Sequence, residues 1–91
     1  MIAIQKFSIL VQDEVTLEMP FGARILSVAP SKETYGYIHL WAVVDTDRHK
    51  EKRYFFIFET GTPIPFGFPD GLFVGTVHDH AHVWHVFEST T

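Results

Sequence analysis

The sequence predicts an all-β protein, a compact antiparallel sandwich or small barrel of about seven short strands with little or no helix. Three observations predict it. Apolar and polar residues alternate with period 2 between turn signals that recur about every ten residues, the pattern of half-buried strands in a two-layer β domain. No window of helical length keeps an i, i+3, i+4, i+7 apolar stripe that alternation does not fit better. The 91 residues are 46% hydrophobic and 15% aromatic, enough apolar area for one core but too short a chain for two. Residues 1–91 are therefore read as a single β domain.

The elements follow in order. Ile2 to Val11 is the first strand, and Asp13-Glu14 turns the chain into the second, where Val15, Leu17 and Met19 share one face. Pro20-Phe21-Gly22 ends it, since Pro has no N–H for a ladder and Gly tolerates unusual dihedrals. Ala23 to Ala29 is the third strand, and strict alternation sets Ile25 and Ser27 against Arg24, Leu26 and Val28. Pro30 to Gly36 is polar and turn-rich, a loop. Tyr37 to Asp45 is the fourth strand, with Ile38, Leu40, Ala42 and Val44 as core residues and Tyr37, His39, Trp41 and Val43 as a bulky, part-polar second face. Asp45 to Glu51 reads as a charged hairpin loop and Lys52 to Thr60 as the fifth strand. Gly61 to Gly71 is a loop dense in Pro, Phe and Gly. Leu72 to Val77 and Val83 to Phe87 form a terminal hairpin around Asp79-His80-Ala81.

The fifth strand is apolar on both faces: Tyr54, Phe56 and Phe58 on one, Phe55 and Ile57 on the other. A strand of that kind is covered on both sides. One cover is the core; the other is a loop, a ligand or another subunit. Together with nine Phe, three Tyr and two Trp, this points to a homo-oligomer.

Composition excludes several classes. A formal charge of -4 gives no general affinity for nucleic acid or anionic membranes. With no cysteine, disulfides, thiolate catalysis and zinc–thiolate sites are ruled out together. The N-terminus, Met1-Ile2-Ala3-Ile4-Gln5-Lys6, does not read as a signal peptide, and no apolar run approaches the roughly 20 residues of a membrane-spanning helix. A cytosolic setting is the expectation.

Several segments together carry a resemblance: Gln12-Asp13-Glu14 with Glu18-Met19-Pro20, Gly22-Ala23-Arg24-Ile25-Leu26-Ser27-Val28, Leu40-Trp41-Ala42-Val43-Val44-Asp45, Lys52-Arg53, Thr60-Gly61-Thr62-Pro63-Ile64, Gly75-Thr76-Val77 and Val83-Trp84-His85-Val86-Phe87-Glu88. In this order the chain resembles a family of small phage and prophage proteins of unknown function. It departs from their pattern in the longer loop at Pro30–Tyr37 and in Phe66-Gly67-Phe68-Pro69. The resemblance implies a phage-derived accessory protein in the host bacterial cytoplasm and brings no catalytic residue with it.

Four groups of residues are candidates for chemistry. His39 and Trp41, with Trp84 if its strand lies beside theirs, present an aromatic surface able to stack on a planar ligand such as a nucleobase. Arg48, Lys50 and Arg53 lie in the most basic stretch, Arg48 to Arg53, and offer forks for phosphate or an acidic partner. Phe66 and Phe68 sit in a loop stiffened by Pro63, Pro65 and Pro69, which loses little entropy on docking. His78, His80 and His82 are weak metal candidates only, because a hairpin tip splays their side chains apart. No phosphate-binding helix terminus or nucleophile elbow appears, no catalytic residue is singled out, and no cofactor is expected. The leading expectation is a non-enzymatic binding protein, phage-derived, acting on a host factor as a homo-oligomer. The alternative is a counter-defence protein that sequesters a nucleotide signal. A small His-dependent hydrolase, for example through Glu59 and a His, comes third.

Overall fold

The fourth strand, β4 (Tyr37–Asp45), organises the molecule, because its alternate residues meet opposite environments. Ile38, Leu40, Ala42 and Val44 are fully buried, while Tyr37, His39, Trp41 and Val43 stand on the other side of the pleat. Successive side chains of a strand point to opposite faces, so one face of β4 is core and the other is outer surface. The structure is a computed structural model and describes residues 1–65 and 71–90; the predicted partner-binding residues Phe66 and Phe68 lie outside the described residues.

Seven strands among the described residues form two antiparallel sheets. The first, sheet A, takes β1 (Ile2–Leu10), β4 and β3 (Arg24–Pro30) in the order β1-β4-β3. The second, sheet B, takes β2 (Glu14–Pro20), β5 (Lys50–Glu59), β7 (His82–Ser89) and β6 (Gly71–Asp79) in the order β2-β5-β7-β6. The molecule is 16 Å through its thinnest axis, which suits two sheets packed about 10 Å apart. Each sheet keeps its own edges, so of the two architectures expected the open sandwich is the one formed. Ile9, Ile38, Leu40, Ala42 and Val44 of sheet A meet Met19, Phe55, Ile57, Val77 and Val86 of sheet B, and no polar side chain is buried among them.

Two features differ from strict reading of the alternation. The segment 46–49 is a corner between sheets, not a hairpin loop: β4 pairs with β1 and β3, whereas β5 pairs with β2 and β7. Strand β3 also carries a bulge at Leu26. Ile25 and Val28 pair with Ala42 and Leu40 over the core, while Arg24 and Ser27 pair with Val43 and Trp41 on the outside. The extra residue resets the phase of the strand, which brings Val28 to the face opposite Arg24.

Strand β6 has a matching irregularity at Val74, and the two bulged edges lie against each other. A Cβ on Gly75 would sit 2.7 Å from Val28 Cγ2, so the absence of a side chain is what lets the edges approach. The β6–β7 hairpin closes with His80-Ala81, and His80 takes φ 54. That is a conformation L-residues adopt at a cost and Gly adopts freely.

Candidate functional site

The outer face of sheet A is built row by row from the register of its strands. Ile4, Val43 and Arg24 form one row, Lys6, Trp41 and Ser27 the next, and Ser8, His39 and Ala29 the third. Ile2 and Ile4 are 68% and 65% exposed, and the bulged Leu26 is 44% exposed. Ile2 and Ile4 follow one another on β1 at the Asp45 and Val43 rows, and Leu26 lies at the bulge opposite Trp41, so the exposed aliphatics share one face. His39 and Trp41, predicted to share this face, meet edge to face with ring centroids 5.9 Å apart. Ser8 Oγ lies 3.2 Å from His39 Nδ1, and Glu33 Oε2 lies 4.0 Å from His39 Nε2. The imidazole is thus held upright beside the indole by a hydroxyl on the neighbouring strand.

One end of this face is cationic. An open depression there is lined by Ile2, Phe21, Arg24, Val43, Asp45 and Arg48. The Arg48 guanidinium stands 5.8 Å over the Phe21 ring, and His49 stacks on the same phenyl at 5.2 Å. Both contacts anchor a residue of the inter-sheet corner to the Phe21-Gly22 turn, and a cation over an aromatic face is attracted by its quadrupole. Gly22 N–H donates to Glu51 at 3.0 Å, tying the turn to β5. Asp45 accepts from Asp47 N–H at 3.1 Å and from the Met1 ammonium at 3.2 Å. The Asp47 amide, then the ammonium, hold the Asp45 carboxyl below its ordinary range, and Asp47 and Asp45 in turn raise the ammonium. Arg24, exposed on β3, makes no ion pair or hydrogen bond among the described residues. Sequence reasoning missed it because its row-mates on β1 and β4 depend on strand order.

Arg53 has a different place from the one predicted. It lies on the inner face of β5 and forms a two-pronged ion pair with Glu88, donating from Nη2 to Oε1 at 3.0 Å and from Nε to Oε2. Nη1 also donates to the Ala23 carbonyl at 2.9 Å. With side chains only 17% and 12% exposed, the pair clamps β5 to β7 within sheet B, and the Ala23 bond reaches the start of β3 in sheet A, so Arg53 is not a free phosphate ligand. The Glu88 hydrogen bonds hold the guanidinium firmly charged.

Trp84 is likewise separated from Trp41. It sits on β7 in sheet B, packed against the core and stacked with His82 at 5.1 Å. The two tryptophans belong to different sheets and do not form one pocket.

The histidines divide in the same way. His78 faces outward on β6, His80 occupies the turn, and His82 accompanies Asp79 on the inner face. The three do not converge, and no group of three metal-ligating side chains occurs among the described residues. His82 Nδ1 lies 2.5 Å from Glu59 Oε2, so the Glu59–His pairing considered from sequence does exist. Neither side chain of the pair bonds a hydroxyl group among the described residues. His85 is bonded on both ring nitrogens, to Thr60 Oγ1 at 2.7 Å and to Thr76 Oγ1 at 3.0 Å. Both are positioning contacts on the outer face of sheet B.

These observations define a class: a small antiparallel β-sandwich that presents one aliphatic, cation-flanked sheet face. The chain belongs to the family described as Domain of unknown function (DUF7352), whose model matches residues 1–91. No curated protein and no solved structure matches it.

Proposed function

We propose that the chain is a non-enzymatic binding protein that works as a homo-oligomer and acts on a host factor through the outer face of sheet A. One observation carries this reading: Ile2, Ile4 and Leu26 stand exposed on the sheet face that also carries Trp41, and the opposite side of that sheet already completes the core. Leaving that much apolar surface in water is unfavourable at roughly 25 cal/mol per Å², and covering it with a partner recovers the loss. The spread of the histidines over separate surfaces supports a binding role over an acid–base one. The phage setting, and with it the host cytoplasm as the place of action, rests on the sequence motifs alone.

Light scattering on the purified protein and on Ile4→Glu and Leu26→Glu variants tests the proposal. The expected result is a multimer for the parent chain and a smaller species for both variants, with unchanged strand content by circular dichroism. A parent chain that is monomeric at high concentration, and whose retention of host proteins is indifferent to both substitutions, overturns it.

A further inference from the structure

We propose that the Arg24–Arg48 end of this face is a binding site for an organic phosphate bearing a planar ring, a nucleoside monophosphate in size and chemistry. The inference rests on sheet A's outer face being a recognition surface, and it names a ligand class for that surface. It differs from the phosphate site expected from sequence, since Arg53 is already committed to Glu88 and Ala23.

Arg24 on β3 and Arg48 in the inter-sheet corner line the same depression, across a floor of Ile2 and Val43. Two forked cations over an apolar floor suit an oxyanion attached to something less polar, because guanidinium pairs bidentately with phosphate while the floor excludes water from the attached group. Arg24 has no internal partner to give up among the described residues. Arg48 is 57% exposed and lies 3.9 Å from Asp45, a long contact that a phosphate can outcompete. Asp45 is the carboxylate that lines the depression, and it shares the Met1 ammonium, at 3.2 Å, with Asp47 at 2.6 Å.

Ring and phosphate sites are spaced by the strand. Trp41 lies two residues from Val43 on the same face of β4, about 6.6 Å along the strand. That distance suits the reach from a 5′-phosphate to its base. Lys6 and Ser27 flank the indole on either side, as its pairing partners on β1 and β3. A ring stacked on Trp41 then has a cation and a hydroxyl at its edges. Base stacking on an aromatic side chain tolerates any base, so the geometry selects the class and not the base.

Calorimetry and thermal shift with a nucleoside 5′-monophosphate, the matching nucleoside and inorganic phosphate test the site. The expected result is binding of the monophosphate, at least tenfold weaker binding of either fragment, and affinity that falls as salt is raised. Arg24→Gln and Arg48→Gln should each weaken the monophosphate tenfold or more without altering the melting temperature of the free protein. Lys52→Gln, on the outer face of sheet B, serves as the control and should leave affinity unchanged. Absence of binding at millimolar monophosphate, or binding indifferent to both arginine variants, overturns the site. If that happens while Ile4→Glu still changes the oligomeric state, the ligand assignment falls and the binding-surface reading stands. If Ile4→Glu is also silent, both fall.

Discussion

The outer faces of the two sheets come from the same alternation and meet opposite fates. On sheet B the outward residues bond one another: His85 bridges Thr60 and Thr76, and Phe87 meets Phe58 at 6.1 Å and Phe73 at 5.4 Å between ring centroids. On sheet A, Ile2, Ile4 and Leu26 are left in water, and Arg24 has no partner among the described residues. The difference lies in which strands became neighbours. Cross-strand pairs are the unit of sheet stabilisation, and sheet B sets aromatic beside aromatic and hydroxyl beside imidazole. Sheet A has one such pairing, Ser8 with His39, and at its other end sets aliphatic beside charge, as in the row Ile4–Val43–Arg24. Sheet B's outer side chains bond one another, although Tyr54 and Phe73 are still 45% and 60% exposed; the outer face of sheet A is the one we propose as a contact surface.

Substitutions can break this contrast, and the largest effect is expected where the sheets are tied together. Arg53→Ala leaves Glu88 and the Ala23 carbonyl without their donor, and should cost about 3 kcal/mol in urea denaturation. An unchanged midpoint would show that the Arg53 contacts to Glu88 and Ala23 do not hold the fold together as described. Next comes the contrast itself. Phe87→Ala, which removes the ring shared by Phe58 and Phe73, should cost about 2 kcal/mol. Ile4→Ala on the other face should stay within about 0.5 kcal/mol. Equal losses at the two positions would erase the distinction. His85→Ala removes two hydrogen bonds and should cost about 1.5 kcal/mol, read by thermal unfolding.

The smallest expected change is a gain. His80→Gly relieves a side chain at φ 54, and should raise stability by about 0.5 kcal/mol after the extra backbone entropy of Gly is offset. A loss instead would assign the Tyr35–His80 ring contact at 6.4 Å a larger share of the hairpin's stability than its turn geometry suggests.

Much of the fold was legible in the residues. Strand β4 runs from Tyr37 to Asp45 with the core set predicted for it, because a strict period of 2 in large side chains admits one pleat. The two-faced character of β5 was legible for the same reason. The phase of β3 was not, since the bulge at Leu26 arises from how β3 sits beside β4 and leaves no mark in the alternation. Of the candidate site, His39, Trp41 and Arg48 were legible from residue type and strand face. Arg24, Phe21 and Ile4 entered only through the register and the inter-sheet corner.

The sequence by itself determined the strand count and the inner faces of β4 and β5, because those depend on local periodicity. Only the tertiary structure decided which strands lie side by side. That choice sent Trp41 and Trp84 to different sheets and turned Arg53 inward to Glu88. It also left Arg24 and Arg48 together at one end of an open face. Neighbourhood across a sheet is set by long-range closure of the chain, and no local pattern of residues encodes it.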